Sequence, residues 1–352
     1  MLSIEKITNI VANGQNLSAE QAAEAAGILA SATVNAVAKE KFLISLSDKG
    51  ETAIEVAAFA SSFREMAVDP GLSEWAPNAI DVCGTGGDGS STFNISTTVS
   101  FILAAAGVPV FKHGNRSITS NCGSADLIEA IGIQLDAPQT KLHASLEELN
   151  FCFFFAPAFH PAFKEIMPVR RTLAQSGRRT IFNLLGPLIN PGRPAYQLMG
   201  VYEERWVEPI ADALDTMGLK AGLVAHCTTT GEDQALDELS CAGRNHIAGF
   251  GSLISLRGEL AIARQAGLSK CDLNSLKGGD VNENIRILNA IFDGSSSGVS
   301  QGLLDSILMN AGAAFWVAEC TNDLDSGVQK AREVIDSGTA RDWLQSARAF
   351  YA

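Results

Sequence analysis

Apolar and polar positions follow two different rhythms along this chain. Through about residue 70 the apolar residues recur at helical spacing, and the residues between them are those of helix ends. Ser18 with Gln21 forms a capping-box pattern opening an alanine-rich segment to about Thr33; a second segment, Val37 to Ser47, ends at Gly50. Thr52 with Glu55 caps a third amphipathic stretch, Ile54 to Met66, which stops before Asp69-Pro70-Gly71. No strand pattern precedes Ala79. From there short β-type runs occur at Ala79–Cys83, Val108–Phe111, Phe151–Ala156, Gln197–Tyr202 and Gly222–Cys227. Helical stretches such as Ala125–Ile131 and Trp206–Met217 lie between them. The pattern predicts a small all-helical domain over 1–72 and a larger α/β domain over 73–352, with a mostly parallel central sheet flanked by helices. Residues His160 to Asn190 read as helical and interrupt the alternation, so they are expected to rejoin the N-terminal helices. Gly294–Gly298 reads as a turn between helices.

With 46% hydrophobic and 18% charged residues in 352, a sizeable core is expected and disorder is not. The formal net charge of −13 argues against a surface built for DNA or RNA. An anionic substrate would then be held by a local constellation rather than by the global field. Seven cysteines, at 83, 122, 152, 227, 241, 271 and 320, include no Cys-x-x-Cys pair and read as reduced thiols. The first residues, MLSIEKITNIVANGQ, lack a basic region followed by a long apolar one, and no uncharged apolar run reaches the roughly 18 residues that span a bilayer. A cytoplasmic protein with neither nucleic-acid nor membrane partner is expected.

Candidate chemistry centres on residues 84–97, Gly-Thr-Gly-Gly-Asp-Gly-Ser-Ser-Thr-Phe-Asn-Ile-Ser-Thr, between a strand pattern and the helix-forming run Val99–Ala106. In a strand, glycine-rich turn and helix, unpaired N–H groups converge on an anion, and glycine lets an oxyanion approach the backbone. The run has neither the Gly-Lys-Ser/Thr of a Walker loop nor the dinucleotide spacing. An ordinary helix cap would use only one or two of its polar residues. Lys112-His113-Gly114-Asn115-Arg116-Ser117-Ile118-Thr119-Ser120 follows the next strand pattern and would bring a positive patch beside the glycine run; Ser124 opens a further helix. His113 reads either as structural or as lining the site. Asp237-Glu238 is either a solvated pair or a holder of Mg²⁺ on a pyrophosphate. Arg170 suits a carboxylate, or is one of a surface arginine pair.

Together these segments resemble the anthranilate phosphoribosyltransferase family. The resemblance rests on Gly-Thr-Gly-Gly-Asp at 84–88, Asn-Ile-Ser-Thr at 94–97, Lys-His-Gly-Asn-Arg at 112–116 and Gly-Ser-Ala-Asp at 123–126. It continues through Phe159-His160-Pro161, Val169-Arg170-Arg171, the run from Ile181 to Pro191, and Leu236-Asp237-Glu238. It implies a helical domain hinged to an α/β domain, Mg²⁺ dependence, a homodimer, and a role in tryptophan biosynthesis. The implied reaction is transfer of phosphoribose from phosphoribosyl pyrophosphate (PRPP) to the amine of anthranilate. Carried over, Gly84, Gly87, Asp88, Thr92, Asn94, Ile95, Ser96 and Thr97 would bind PRPP together with Lys112 through Ser120 and Ser124. Ser96, Asp237 and Glu238 would place Mg²⁺, and Gly84, Asn115 and Arg170 would bind anthranilate. No side chain is expected to act as acid or base; Lys112 would stabilise the departing pyrophosphate.

Three departures from the family pattern stand out. Residues 172–179 form a longer link, Ala235 replaces a glycine, and Asn121-Cys122 replaces a polar pair. Two rivals are a pyrimidine-nucleoside phosphorylase of the same structural class and a non-catalytic nucleic-acid-binding relative. Lys112–Arg116 with Asp237-Glu238 speaks against the first, and the net charge with Arg170 and Asn115 against the second.

Overall fold

The computed structural model describes residues 2–117, 121–231, 234–295 and 298–352. Four helices come first: α1 (Ile4–Ala12), α2 (Ala19–Ala30), α3 (Ala36–Lys49) and α4 (Ala53–Glu65). Both capping boxes form. Gln21 N–H donates to Ser18 Oγ at 3.2 Å and Ser18 N–H to Gln21 Oε1 at 2.9 Å, with the same exchange between Thr52 and Glu55. Glu55 is wholly buried and also accepts from Leu17 N–H at 2.8 Å and Lys49 Nζ at 2.9 Å. One carboxylate therefore ties α4 to the end of α3 and to the α1–α2 link. Glu55→Ala should lower stability by about 3 kcal/mol, because Lys49 and two N–H groups lose a buried partner. A lower urea midpoint at unchanged m-value is the expected reading.

The α/β part begins with β1 (Ile80–Gly84), α5 (Ile95–Ala105), β2 (Val110–Gly114), α6 (Ser124–Ala130), α7 (Gln139–Leu149) and β3 (Phe151–Phe155). Three helices follow, α8 (Ala156–Phe159), α9 (Met167–Gln175) and α10 (Phe182–Leu188). Then come β4 (Tyr196–Gly200), α11 (Val207–Thr216), β5 (Ala221–Thr229), β6 (Ala235–Leu236), β7 (Gly243–Gly251) and β8 (Arg257–Leu260). The chain closes with α12 (Val281–Phe292), α13 (Gln301–Val317), α14 (Leu324–Asp336) and α15 (Thr339–Tyr351).

The strands form one sheet in the order β3-β2-β1-β4-β5-β7-β8, with β6 paired to β5. The run from β3 to β5 is parallel, whereas β6, β7 and β8 add antiparallel pairings. Strand alternation divides the core in two. Val82 and Leu198 face a layer that includes α5, α12 and α13, while Cys83 and Met199 face α10, α11 and the N-terminal helices. Phe42, Phe59 and Phe63 share that second core with Ile166, Val169, Leu173 and Phe182, so α9 and α10 pack on the helical domain.

Candidate active site

β1 and β4 are neighbours from which the strand order runs in opposite directions, toward β2 on one side and β5 on the other. Open α/β sheets bind ligands at such a switch point, beyond the carboxyl ends of the strands. Both strands end in glycine, with Gly84 opposite Gly200. A Cβ on Gly84 would stand 2.3 Å from Asp237 Oδ2, and one on Gly200 1.6 Å from the Asp237 carbonyl oxygen. These glycines are needed for close approach: Asp237 lies directly over the two strand ends.

The glycine turn wraps this point. Gly86, Gly87 and Gly89 have φ of +69°, +78° and +72°, a region glycine enters without steric cost. Gly86 N–H donates to Asp237 Oδ2 at 2.6 Å. Asp88 folds back on Ser90, accepting its N–H at 3.1 Å and its hydroxyl at 2.6 Å. The N–H groups of Gly87, Asp88, Gly89 and Ser91 have no protein partner among the described residues. Four free donors around glycines make an anion cradle.

Opposite the turn, Ser96 N–H donates to Glu238 Oε1 at 3.3 Å, and Lys112 Nζ reaches Ser96 Oγ at 3.3 Å while also bonding the Val82 carbonyl. Burial raises the Asp237 carboxyl well above its ordinary range, and the charges of Asp88 and Glu238 add to the effect. Glu238 is pushed up to about 7 by burial, with Lys112 opposing, and burial likewise lifts Asp81 to about 6. Anionic charge is thus crowded here beyond what Lys112 balances.

β2 extends to Gly114, so Lys112 and His113 are strand residues on opposite faces of the sheet rather than members of a loop beside the glycine turn. His113 Nδ1 lies 3.1 Å from the Gly186 carbonyl, and its Nε2 lies 3.1 Å from His160 Nε2. The carbonyl can only accept, so His113 carries its proton on Nδ1 and receives one from His160 Nε2. Burial lowers the two histidines to about 3 and about 4, and both are neutral at pH 7.

The expected positive patch does not form as such. Arg116 is exposed and donates to Asp126 at 3.1 Å and to Glu129 at 2.7 and 2.9 Å. Asn115 shapes the turn into α6: its carbonyl accepts from Ala125 N–H at 3.2 Å and Ser124 Oγ at 3.3 Å. A Cβ on Gly114 would meet Ser124 Oγ at 2.2 Å, and Ser117 N–H donates to Asp126 Oδ2 at 3.1 Å. Ile118, Thr119 and Ser120 lie outside the described residues, as do Ser296 and Ser297 of the expected turn.

Asn94 caps α5 and bridges the Cys122 carbonyl at 3.0 Å and Asn284 at 2.8 Å; Thr92 pairs with Lys277 in an isolated bridge. Ile95 and Thr97 are buried, so backbone is what they offer the crevice. Ala235 stands in β6 opposite Thr228, where the turn of the hairpin needs no glycine at that position.

Arg170 lies away from this cluster on α9. Its guanidinium sits 5.7 Å from the Phe163 ring and 5.3 Å from the Phe182 ring, and it donates to the Phe182 carbonyl at 3.4 Å. Among the described residues it has no acidic partner, and burial lowers its pKa.

Several contributors escape a sequence reading. Asn310 holds Leu239 from both sides, accepting its N–H at 3.2 Å and donating to its carbonyl at 2.6 Å, which fixes the chain just after the carboxylates. Arg179 and Lys277 grip carbonyls of the glycine turn. Each acts from far along the chain through the backbone, where no local motif signals it.

Comparison with known proteins agrees with this geometry. The model of the glycosyl transferase family, a/b domain, matches residues 76–341, and that of the family's helical bundle domain matches 5–67. An anthranilate phosphoribosyltransferase from Petrotoga mobilis is 39% identical over 340 residues, covering 97% of this chain and 94% of its own. One from Synechococcus elongatus is 40% identical over 342 residues, with 96% and 94% covered. The crystal structure of the Thermus thermophilus enzyme has a TM-score of 0.85 at 38% identity, covering 98% of this chain and 99% of that one. A Saccharomyces cerevisiae enzyme in complex with PRPP and Mg shares the fold, with a TM-score of 0.82 at 24% identity over 99% and 97% of the two chains. Matched in both domains and along nearly its whole length, the chain belongs to the anthranilate phosphoribosyltransferase family.

Proposed function

We propose that the crevice over β1 and β4 binds PRPP and that anthranilate enters from the side of α9, joining there in the phosphoribosyl transfer that defines the family. The observation that carries this reading is the pairing of an anion cradle with two crowded carboxylates: unpartnered N–H groups of the glycine turn face Asp237 and Glu238. A phosphate alone would be repelled by those carboxylates, whereas a phosphate arriving with a divalent cation satisfies both. Among the described residues no three His, Cys, Asp or Glu side chains are placed to hold an ion by themselves. Two carboxylates and the Ser96 hydroxyl are hard oxygen donors that fit Mg²⁺ shared with substrate oxygens. Bound there, Mg²⁺ would neutralise charge on the pyrophosphate.

The chain's own residues do the rest. Gly84, Gly87, Asp88, Thr92 and Asn94 through Thr97, with Lys112 through Ser120 and Ser124, form the PRPP pocket. Lys112, buried and held by the Val82 carbonyl, supplies fixed positive charge on the leaving-group side. Gly84, Asn115 and Arg170 receive anthranilate, whose carboxylate would supply the anion that Arg170 lacks. Attack by the neutral aromatic amine at the anomeric carbon needs no strong base. Holding both substrates in line contributes on the order of 7–11 kcal/mol. Residues 1–72 with 160–190 would move as one unit to exclude water during transfer. The chain would work in the cytoplasm as a homodimer.

Arg170→Gln tests the acceptor site. It should raise KM for anthranilate at least about tenfold, the loss of one charge-assisted contact. KM for PRPP should stay within about twofold. Equal KM for anthranilate in variant and wild type would remove Arg170 from the site.

A further inference from the structure

We infer that Arg179 and Lys277 are positioning residues that aim the N–H groups of the glycine turn at the pyrophosphate, one grip on each side of the cradle; the inference rests on the PRPP assignment above. Arg179 Nη2 donates to the Gly87 carbonyl at 2.7 Å, and Lys277 Nζ donates to the Ser90 carbonyl at 2.6 Å. A peptide unit is planar and trans, so its C=O and N–H point in opposite directions. Pulling the Gly87 carbonyl outward turns the Asp88 N–H inward, and pulling the Ser90 carbonyl outward does the same for the Ser91 N–H. These two N–H groups are among those left without a protein partner.

The turn needs such grips because its own conformation is loosely determined. Gly86, Gly87 and Gly89 all adopt positive φ, and a Cβ at any of the three would meet nothing within 4 Å, so packing does not fix these peptides. Glycine permits a cradle; it does not hold one open.

Each grip is itself braced. The Arg179 guanidinium stacks 4.0 Å from the Tyr202 ring centroid and pairs with Glu203 at 2.9 Å. Ser47 Oγ on α3 donates to the Arg179 carbonyl at 2.9 Å, and neighbouring Arg178 pairs with Asp48 on the same helix. Lys277 belongs to a short stretch bound to the far end of the turn by Phe93 N–H to the Leu276 carbonyl at 2.9 Å and Gly278 N–H to the Ser91 carbonyl at 3.3 Å. Arg179 therefore couples the cradle to the helical domain, and Lys277 couples it to the segment before α12. The extended link at 172–179 is where the first coupling resides.

The experiment compares wild type with Arg179→Met, Lys277→Met, the double variant and Arg179→Lys. PRPP binding with Mg²⁺ is measured by calorimetry, alongside steady-state kinetics and thermal melting. Each methionine variant keeps side-chain bulk but removes the donor, and should weaken PRPP binding about tenfold. KM for anthranilate should hold within about twofold, and the melting temperature should be unchanged, since both side chains are largely solvent-facing. Arg179→Lys should recover part of the loss because it retains charge and donor. A folded double variant that binds PRPP as wild type does, or a loss that falls equally on PRPP and anthranilate, overturns the inference. If wild type itself fails to bind PRPP, the substrate assignment of the crevice has failed instead, and the inference falls with it.

Discussion

Replacing Asp237 by Asn together with Glu238 by Gln should abolish Mg²⁺-dependent turnover, with kcat/KM falling by at least about 10³, the scale of losing charge stabilisation on a leaving phosphate. The same double variant should be at least as stable as wild type. Both carboxylates have pKa values raised by burial and by mutual repulsion, with Glu238 at about 7. A carboxyl whose folded pKa lies above its unfolded value costs stability once pH rises past the unfolded value, so near pH 7 the ionised pair opposes folding. Amides remove that charge while still offering an oxygen to Gly86 N–H and Ser96 N–H. Activity and stability thus move in opposite directions, a combination that loss of folding cannot imitate. Near-normal turnover would refute the metal assignment.

Gly200→Ala should be the most damaging single substitution in the crevice. A methyl group there would lie 1.6 Å from the Asp237 carbonyl oxygen and 2.9 Å from the Glu238 nitrogen, both backbone atoms. No rotamer change relieves such a contact, so the 237–238 segment has to shift. That segment is held by Asn310 on Leu239 and by Asn245 on Ser240, and a shift would strain both. Misplacement of the carboxylates by about 1 Å is expected to cost at least about 10² in kcat/KM. The melting temperature should fall as well. Gly87→Ala is the contrast: its Cβ meets nothing within 4 Å, so only positive φ opposes it, at roughly 1–2 kcal/mol. Comparable damage from the two alanines would mean that close approach over β1 and β4 is not what the site depends on.

What could be read from the sequence was whatever is written locally. The capping boxes at Ser18 and Thr52 form as their residues predict, because a cap needs only neighbours three positions apart. The parallel strands fall within a few residues of their apolar runs, since buried strands are continuous in apolar character. The antiparallel end of the sheet was not foreseen: in β7, Gly243, Gly249 and Gly251 and the polar Arg244 and His246 break the alternation. Lys112 to Arg116 looked like one positive patch, yet the pleat separates Lys112 from His113, and two carboxylates of α6 claim Arg116. Asp237 and Glu238 had the character of a solvated pair until the two glycine strand ends brought them into the crevice. Arg179, Lys277 and Asn310 bind carbonyl or N–H groups of distant segments, and backbone partners leave no trace in the pattern of side chains.

The central claim is that this crevice joins phosphoribose to anthranilate with Mg²⁺ in attendance. The most direct measurement is the fluorescence of anthranilate mixed with the purified chain, PRPP and Mg²⁺. The account predicts a decay whose rate scales with protein concentration and which vanishes when either PRPP or Mg²⁺ is omitted. Constant anthranilate fluorescence in the complete mixture, with the protein shown to be folded, would contradict it.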